Sequence, residues 1–160
     1  MKYIVSLGSN IRPSKHVPWV CKKMYDEFDS VVVSRFVRTK AYAMDSKHIF
    51  WNGAVMIETD LLFGALKSKL CMWEEASGRN RSHPQSSTRD RTLDLDILWC
   101  EEGWIEPVSA LRKMPYIWLP VQSLLGSLGS SSSLCRPVWF KCSGKLFGKR
   151  QKALKGRVTL

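Results

Sequence analysis

The sequence predicts an α+β fold of ferredoxin-like type, an antiparallel sheet with helices packed on one of its faces. Three observations predict it. Four segments are rich in alternating or β-branched residues, two others repeat their apolar residues at three- to four-residue spacing, and together they run β, α, β, β, α, β. A chain of 160 residues has room for one core of this kind, and 44% hydrophobic with 24% charged residues excludes wholesale disorder.

The first element, residues 2–7, is an apolar strand that stops at the turn cluster Gly8-Ser9-Asn10. That cluster lacks the lysine and spacing of a Walker phosphate loop, so it reads as a tight exit that lets the chain pass close to a site. Ser14 is placed to cap a helix running to about Phe28, with Pro18 tolerated near its first turn and Trp19, Lys22, Lys23, Asp26 and Glu27 spread as on a surface helix. Residues 31–39 are rich in β-branched side chains and make the second strand; Phe50–Glu58 alternates and makes the third. Asp60 is placed to cap a second helix reaching about Ala76, with Leu62, Leu66, Leu70 and Trp73 stacked on one face. Residues 78–91, GRNRSHPQSSTRDR, are polar throughout and read as a cationic loop. The loop feeds residues 92–99, TLDLDILW, a strand with two distinct faces. A short helix or turn around Pro120 follows, and GSLGSSSSL has linker composition. The chain thus divides into a domain at 1–128 and a Ser/Gly linker with a basic tail at 129–160.

The formal charge of +11 is unevenly placed. Residues 136–160 carry eight Lys/Arg and no acid, which leaves a net +3 on everything before them. The body therefore has no nucleic-acid signature; the tail alone suits an RNA contact, a membrane-surface contact or a solubilising extension. Five cysteines (Cys21, Cys71, Cys100, Cys135, Cys142) lie scattered without a CxxC pair, which predicts free thiols in a reducing compartment rather than a disulfide framework or zinc site. The apolar run before Gly8 is too short for a signal peptide or a membrane span. A cytoplasmic monomer is expected. His16, His48 and His83 stand alone and read as surface residues, whereas Trp73, Trp99 and Trp118 fall on apolar faces and read as core.

In TLDLDILW the side chains of Leu93, Leu95 and Ile97 face a core, while Thr92, Asp94 and Asp96 face the other way, neighbouring Cα atoms on a face lying about 6.5–7 Å apart. Two carboxylates so close need a positive partner: divalent cations, a proton or arginines. Oxygen-only ligands favour Mg²⁺, which keeps several waters and shares itself with phosphates. Arg79, Arg81, Arg89 and Arg91 lie immediately upstream. A carboxylate pair for metals directly after a cationic loop points to a polyphosphate.

The segment RTLDLDILW resembles the signature of the 6-hydroxymethyl-7,8-dihydropterin pyrophosphokinases of folate biosynthesis. LGSN at 7–10, Arg38-Thr39, Phe50-Trp51-Asn52, the helix reaching Glu74 and Gly78-Arg79 agree with it in order and spacing, over about residues 2–125. The resemblance implies an α+β fold and transfer of pyrophosphate from ATP to the pterin hydroxymethyl group, giving AMP, with two Mg²⁺ ions. It implies that Asp94 and Asp96 bind magnesium and, with Arg79 and Arg91, form the catalytic set. Glu74, Arg79, Arg81, Arg91 and Ile97 match positions around the nucleotide. Thr39, Tyr42, Phe50, Asn52 and Tyr116 match positions around the pterin, Phe50 and Tyr116 sandwiching its ring and Asn52 bonding its edge.

The chain departs from the family pattern in places. Thr88-Arg89-Asp90 stands where Trp-Gly-Pro is usual, Lys40 where proline follows the threonine, and Val108 where the histidine of a Pro-His pair contributes to ATP binding. The metal and phosphate centre is thus expected intact and the adenosine grip weakened. Two rivals remain open on the residues: a diverged paralogue or pseudoenzyme that binds a pterin-like or nucleotide ligand, and a basic-tailed RNA-binding protein on the same fold.

Overall fold

The computed structural model describes residues 1–42, 44, 46–82 and 89–126, together with the backbone of strands at 136–138, 140–142 and 145–147. Strand β1 (Lys2–Ser9) is central. It pairs antiparallel with β4 (Phe50–Glu58) on one side and with β5 (Asp94–Cys100) on the other. Beyond β4 lie β2 (Ser30–Val33) and β3 (Phe36–Thr39), and beyond β5 the two-residue β6 (Gly103–Trp104), all antiparallel. Three further strands, β7 (Arg136–Val138), β8 (Phe140–Cys142) and β9 (Lys145–Phe147), follow in the chain; β7 adds to β3, and β8 pairs with β9. The linker at 127–135 and the residues from 148 onward lie outside the described residues.

The sheet carries helices on both faces, not on one. Tyr3, Val5 and Leu7 of β1, Val55 and Ile57 of β4, and Leu95 and Ile97 of β5 point to one side, where α1 (Pro13–Glu27) and α2 (Phe63–Ala76) bury Val17, Val20, Met24, Leu66, Leu70 and Trp73. Phe28 and Trp73 tie the two helices together with ring centroids 5.7 Å apart. The alternate residues Ile4, Ala54 and Leu98 point to the other side and meet Leu111 of α3 (Val108–Arg112) and Val121 of α4 (Pro115–Leu125). Ile4 and Ala54 give that face its own apolar patch, and α4, with Ile117, Trp118 and Leu124 packed there, covers it.

Local expectations shift in physically intelligible ways. Residues 31–39 form two strands because Ser34 breaks the run. Val33 pairs with Val55 but Val37 with Asn52, so β4 has one residue fewer to offer. The Ser34 hydroxyl accepts the Ala54 N–H at 2.8 Å across the resulting bulge. Helix α1 starts a residue before Ser14, with Arg12 in the left-handed region (φ 44°) and Pro13 in the first turn. Its Pro18 stays inside the helix. Leu62 precedes α2 and is 70% exposed instead of stacking with Leu66 and Leu70, and Asp60 is not the cap. His16 is buried, not on the surface, and that burial, followed by Lys15 and Arg12, lowers its pKa. Thr92 is buried before β5 begins, its hydroxyl 2.6 Å from that of Ser77. At Leu98 the β1–β5 register slips, Val5 pairing with Ile97 and Ile4 with Trp99, so the alternation of TLDLDILW holds through Leu98, which joins the second core in step with Asp94 and Asp96, and fails at Trp99, which packs on that same side. Among the described residues Cys21, Cys71 and Cys100 are free thiols, and no helix is long and apolar enough to cross a membrane.

Candidate active site

The second face of the sheet holds α4 at one end and a cavity of about 320 Å³ at the other. Gly8, Asn52 and Asp94 form the cavity floor because the register sets Gly8 directly between the other two. A Cβ on Gly8 would stand 3.2 Å from Asn52 Oδ1 and 3.6 Å from Asp94 Cβ, so the missing side chain is what keeps the floor open. Thr39, Lys40, Tyr42, Met44 and Phe50 make one wall; Tyr116, on the first turn of α4, and Arg91 complete the lining. Asn52 is buried and donates through Nδ2 to Thr39 Oγ1 at 2.9 Å, which fixes its amide. Phe50 is buried, whereas Tyr42 is 60% exposed and its ring lies 5.4 Å from that of Tyr116 at an interplanar angle of 37°. Burial, then the neighbouring Tyr42 and Asp94, push the Tyr116 phenol up, so it stays a neutral donor. Flat apolar walls with a fixed amide at the floor suit a planar heterocycle with hydrogen-bonding edges.

Asp94 closes this cavity and opens a second region. Arg79 Nη1 lies 2.5 Å from its Oδ1, and Arg91 Nη1 lies 2.6 Å from its Oδ2. Both guanidiniums are nearly buried. Gly78, at φ 97°, turns the chain after α2 so that Arg79 reaches back to Glu74 Oε1 at 2.6 Å, and Arg81 pairs with Glu74 Oε2. Glu74 is fully buried. It accepts the Leu95 N–H at 2.6 Å, a ladder group left open because β6 pairs only with Trp99 and Cys100. Burial pushes the Glu74 carboxyl up, while the Leu95 N–H and the two arginines pull it back. Three arginines thus gather on two carboxylates at the start of β5.

Asp96 shares the strand face of Asp94 but is more than half exposed, with Lys67 Nζ at 3.0 Å. The two aspartates present oxygen donors only, one of them open to solvent, and this set fits Mg²⁺. Among the described residues no group of three His, Cys, Asp or Glu converges, so an ion held by these two aspartates would have to complete its shell with oxygens from outside the protein side chains. Ile97 projects the opposite way, into the first core, and does not line the cavity.

A family model describing 7,8-dihydro-6-hydroxymethylpterin-pyrophosphokinase matches residues 4–126, well over half of the chain. The chain belongs to this family. The matched residues contain the whole cavity and the arginine–carboxylate cluster. No curated protein matches. Members of the pyrophosphokinase family act in folate biosynthesis and use ATP, a pterin and Mg²⁺.

Within this pyrophosphokinase domain the resemblance and the cavity coincide at Thr39, Tyr42, Phe50, Asn52, Arg91, Asp94 and Tyr116. Arg79, Arg81 and Glu74 cluster behind Asp94, and Asp96 stands apart on Lys67. Lys40 and Met44 line the cavity without having been singled out as binding residues; nothing in their local sequence marks them. Asn10 and Asp90 were also missed, although Asn10 lay within a quoted motif. Asn10 Oδ1 accepts the Arg91 N–H at 2.8 Å, and the Asn10 N–H donates to the Arg91 carbonyl at 3.1 Å, clasping the backbone that carries Arg91. Residues 83–88 of the cationic loop, His83 and Thr88 among them, lie outside the described residues.

Proposed function

We propose that the protein transfers the pyrophosphoryl group of ATP to the hydroxymethyl oxygen of 6-hydroxymethyl-7,8-dihydropterin, releasing AMP and the pterin diphosphate. The observation that supports this most is that Arg91 and Asp94, from the charged cluster, line the same cavity as Thr39, Phe50, Asn52 and Tyr116. On this reading the pterin ring lies against Phe50 and Tyr116, with Asn52 and Thr39 at its polar edge and Tyr42 over the entrance. Asp94 and Asp96 hold two Mg²⁺ ions, which supply charge neutralisation at the phosphates when bound. Arg79, Arg81 and Arg91 turn from carboxylate to phosphate oxygens, exchanging one set of charge-assisted bonds for another. Glu74 keeps the arginines gathered, and Ile97 contributes through its backbone. Asp96, exposed and on the cavity side of β5, is placed to draw the hydroxymethyl proton as the oxygen attacks the β-phosphorus in line with the departing AMP oxygen. Catalysis is then positioning and neutralisation rather than covalent chemistry. The reaction is carried by residues 1–128, in a cytoplasmic monomer.

A second reading, a member that binds ligand without turnover, is favoured by Val108, which opens α3 where the resemblance expects histidine. AMP release from ATP with Mg²⁺ and the pterin separates the two. Pterin-dependent AMP from the wild type but not from Asp94→Ala supports the transfer; no AMP from a protein that still binds the pterin supports the second reading.

A further inference from the structure

One carboxylate beside the cavity gathers more partners than the end of a loop needs. Asp90 Oδ1 accepts from Ser46 Oγ and from Asn10 Nδ2, each at 2.5 Å, while its Oδ2 meets His48 Nδ1 at 2.5 Å. Three segments distant in sequence converge there: the exit of β1, residues 46–48, and the residues entering β5. Ser46 Oγ accepts the His48 N–H at 3.1 Å, and the Ser46 N–H donates at 3.1 Å to the carbonyl of Met44, which lines the cavity. From the other side Asn10 grips the backbone of Arg91, whose side chain holds Asp94. Neither Asp90 nor His48 lines the cavity itself.

We propose that Asp90 is a positioning residue: through Ser46, His48 and Asn10 it clasps residues 46–48, next to the cavity-lining Met44, to the chain entering the strand that bears the aspartates, and so sets how tightly the acceptor is held. The proposal rests on the reading of the cavity as the acceptor pocket. Bonds to an ionised carboxylate are among the stronger hydrogen bonds, and three on one group hold a segment in which Lys47 and His48 are exposed. In the pattern that the sequence resembles this position is proline, which has no side chain able to make any of them, so the clasp belongs to this chain.

Two measurements on the full chain test it. Amide hydrogen exchange, without ligand, compares the wild type with Asp90→Ala and Asp90→Asn. The amides of His48 and Arg91 should exchange about tenfold faster or more in Asp90→Ala, with Asp90→Asn between, since the amide keeps a hydrogen-bonding group but loses the charge. Unchanged exchange at both amides overturns the clasp, whatever the protein catalyses. Steady-state kinetics then give the functional effect: KM for the pterin rises about tenfold in Asp90→Ala and about threefold in Asp90→Asn, with kcat within about threefold of wild type. An unchanged KM, or kcat falling as far as KM rises, overturns the positioning role. If the wild type itself yields no pterin-dependent AMP, the transfer reading falls, the exchange result still decides the clasp, and a pterin Kd unchanged in Asp90→Ala overturns the positioning role.

Discussion

The two ends of the site are prepared in opposite ways. The cavity between Gly8, Phe50, Asn52 and Tyr116 is open, with the Asn52 amide fixed on Thr39 and the aromatic rings in place. The charged end is closed on itself: Arg79 and Arg91 occupy both oxygens of Asp94, and Arg79 and Arg81 occupy Glu74. The difference teaches that the two ligands meet different energetic problems. A flat, neutral ring needs a shaped hole that exists beforehand. A polyphosphate cannot be awaited by bare, buried guanidiniums, because unpaired charges there are costly. On the proposed reading, the arginines rest on the chain's own carboxylates until phosphate and cation take both sides of each pair.

The sharpest way to break this comparison is at Asp94, which belongs to both ends. Asp94→Ala should lower turnover by at least about a thousandfold, because the phosphates lose an ion ligand and the arginines lose their resting partner; far-ultraviolet circular dichroism should show the fold retained. A smaller loss would mean that the charged end works without this exchange. Glu74→Ala attacks the stored pairs alone. Leaving Arg79 and the Leu95 N–H without their buried acceptor should cost about 3–5 kcal/mol of stability, read from urea denaturation. Gly8→Ala attacks the cavity alone: with a Cβ set 3.2 Å from Asn52 Oδ1, KM for the pterin should rise about tenfold while KM for ATP stays level.

Acid titration sharpens the comparison further. Burial pushes the Asp90 carboxyl up, but the bonds from Ser46, Asn10 and His48 outweigh it and hold the group below the ordinary aspartate range. A lowered native pKa gives stabilisation that is complete above the unfolded-state value and disappears as pH falls through the native one. The stability that the Asp90 charge gives the wild type over Asp90→Asn should therefore disappear as pH falls below the ordinary aspartate range, read from urea denaturation at stepped pH. The smallest effect is expected at Lys67→Met, where an exposed pair with Asp96 is worth no more than about 1 kcal/mol and is screened by salt.

What the sequence made legible follows from periodicity and contiguity. Side chains alternate along a strand, so TLDLDILW declared one face for the core and one for chemistry, and Leu93, Leu95 and Ile97 are buried as that rule requires. The arginines are legible because they precede the aspartates directly. Glu74 was legible as part of a motif, but its reason was not: it answers an open N–H on a strand 21 residues later. The Asp90 cluster joins residues 42, 44 and 80 positions apart, and nothing local in Asn10, Ser46 or His48 announces a shared partner. The second helical layer was missed for a related reason. β4 carries Ala54 and Met56 on the face assigned to solvent, and their cover, α4, comes more than 50 residues later.

The carboxylate of Glu74 on the Leu95 N–H has a consequence unrelated to catalysis. Among the described residues, β5 meets along its outer side only the two residues of β6, so its first half borders no strand there. Such a margin is a template on which a strand from another molecule can dock and begin an aggregate. Glu74 already fills the Leu95 donor, and the guanidiniums of Arg79 and Arg81 gathered on it set positive charge along the same rim. The residue that gathers the arginines thereby also blunts the open edge of the strand that carries both aspartates.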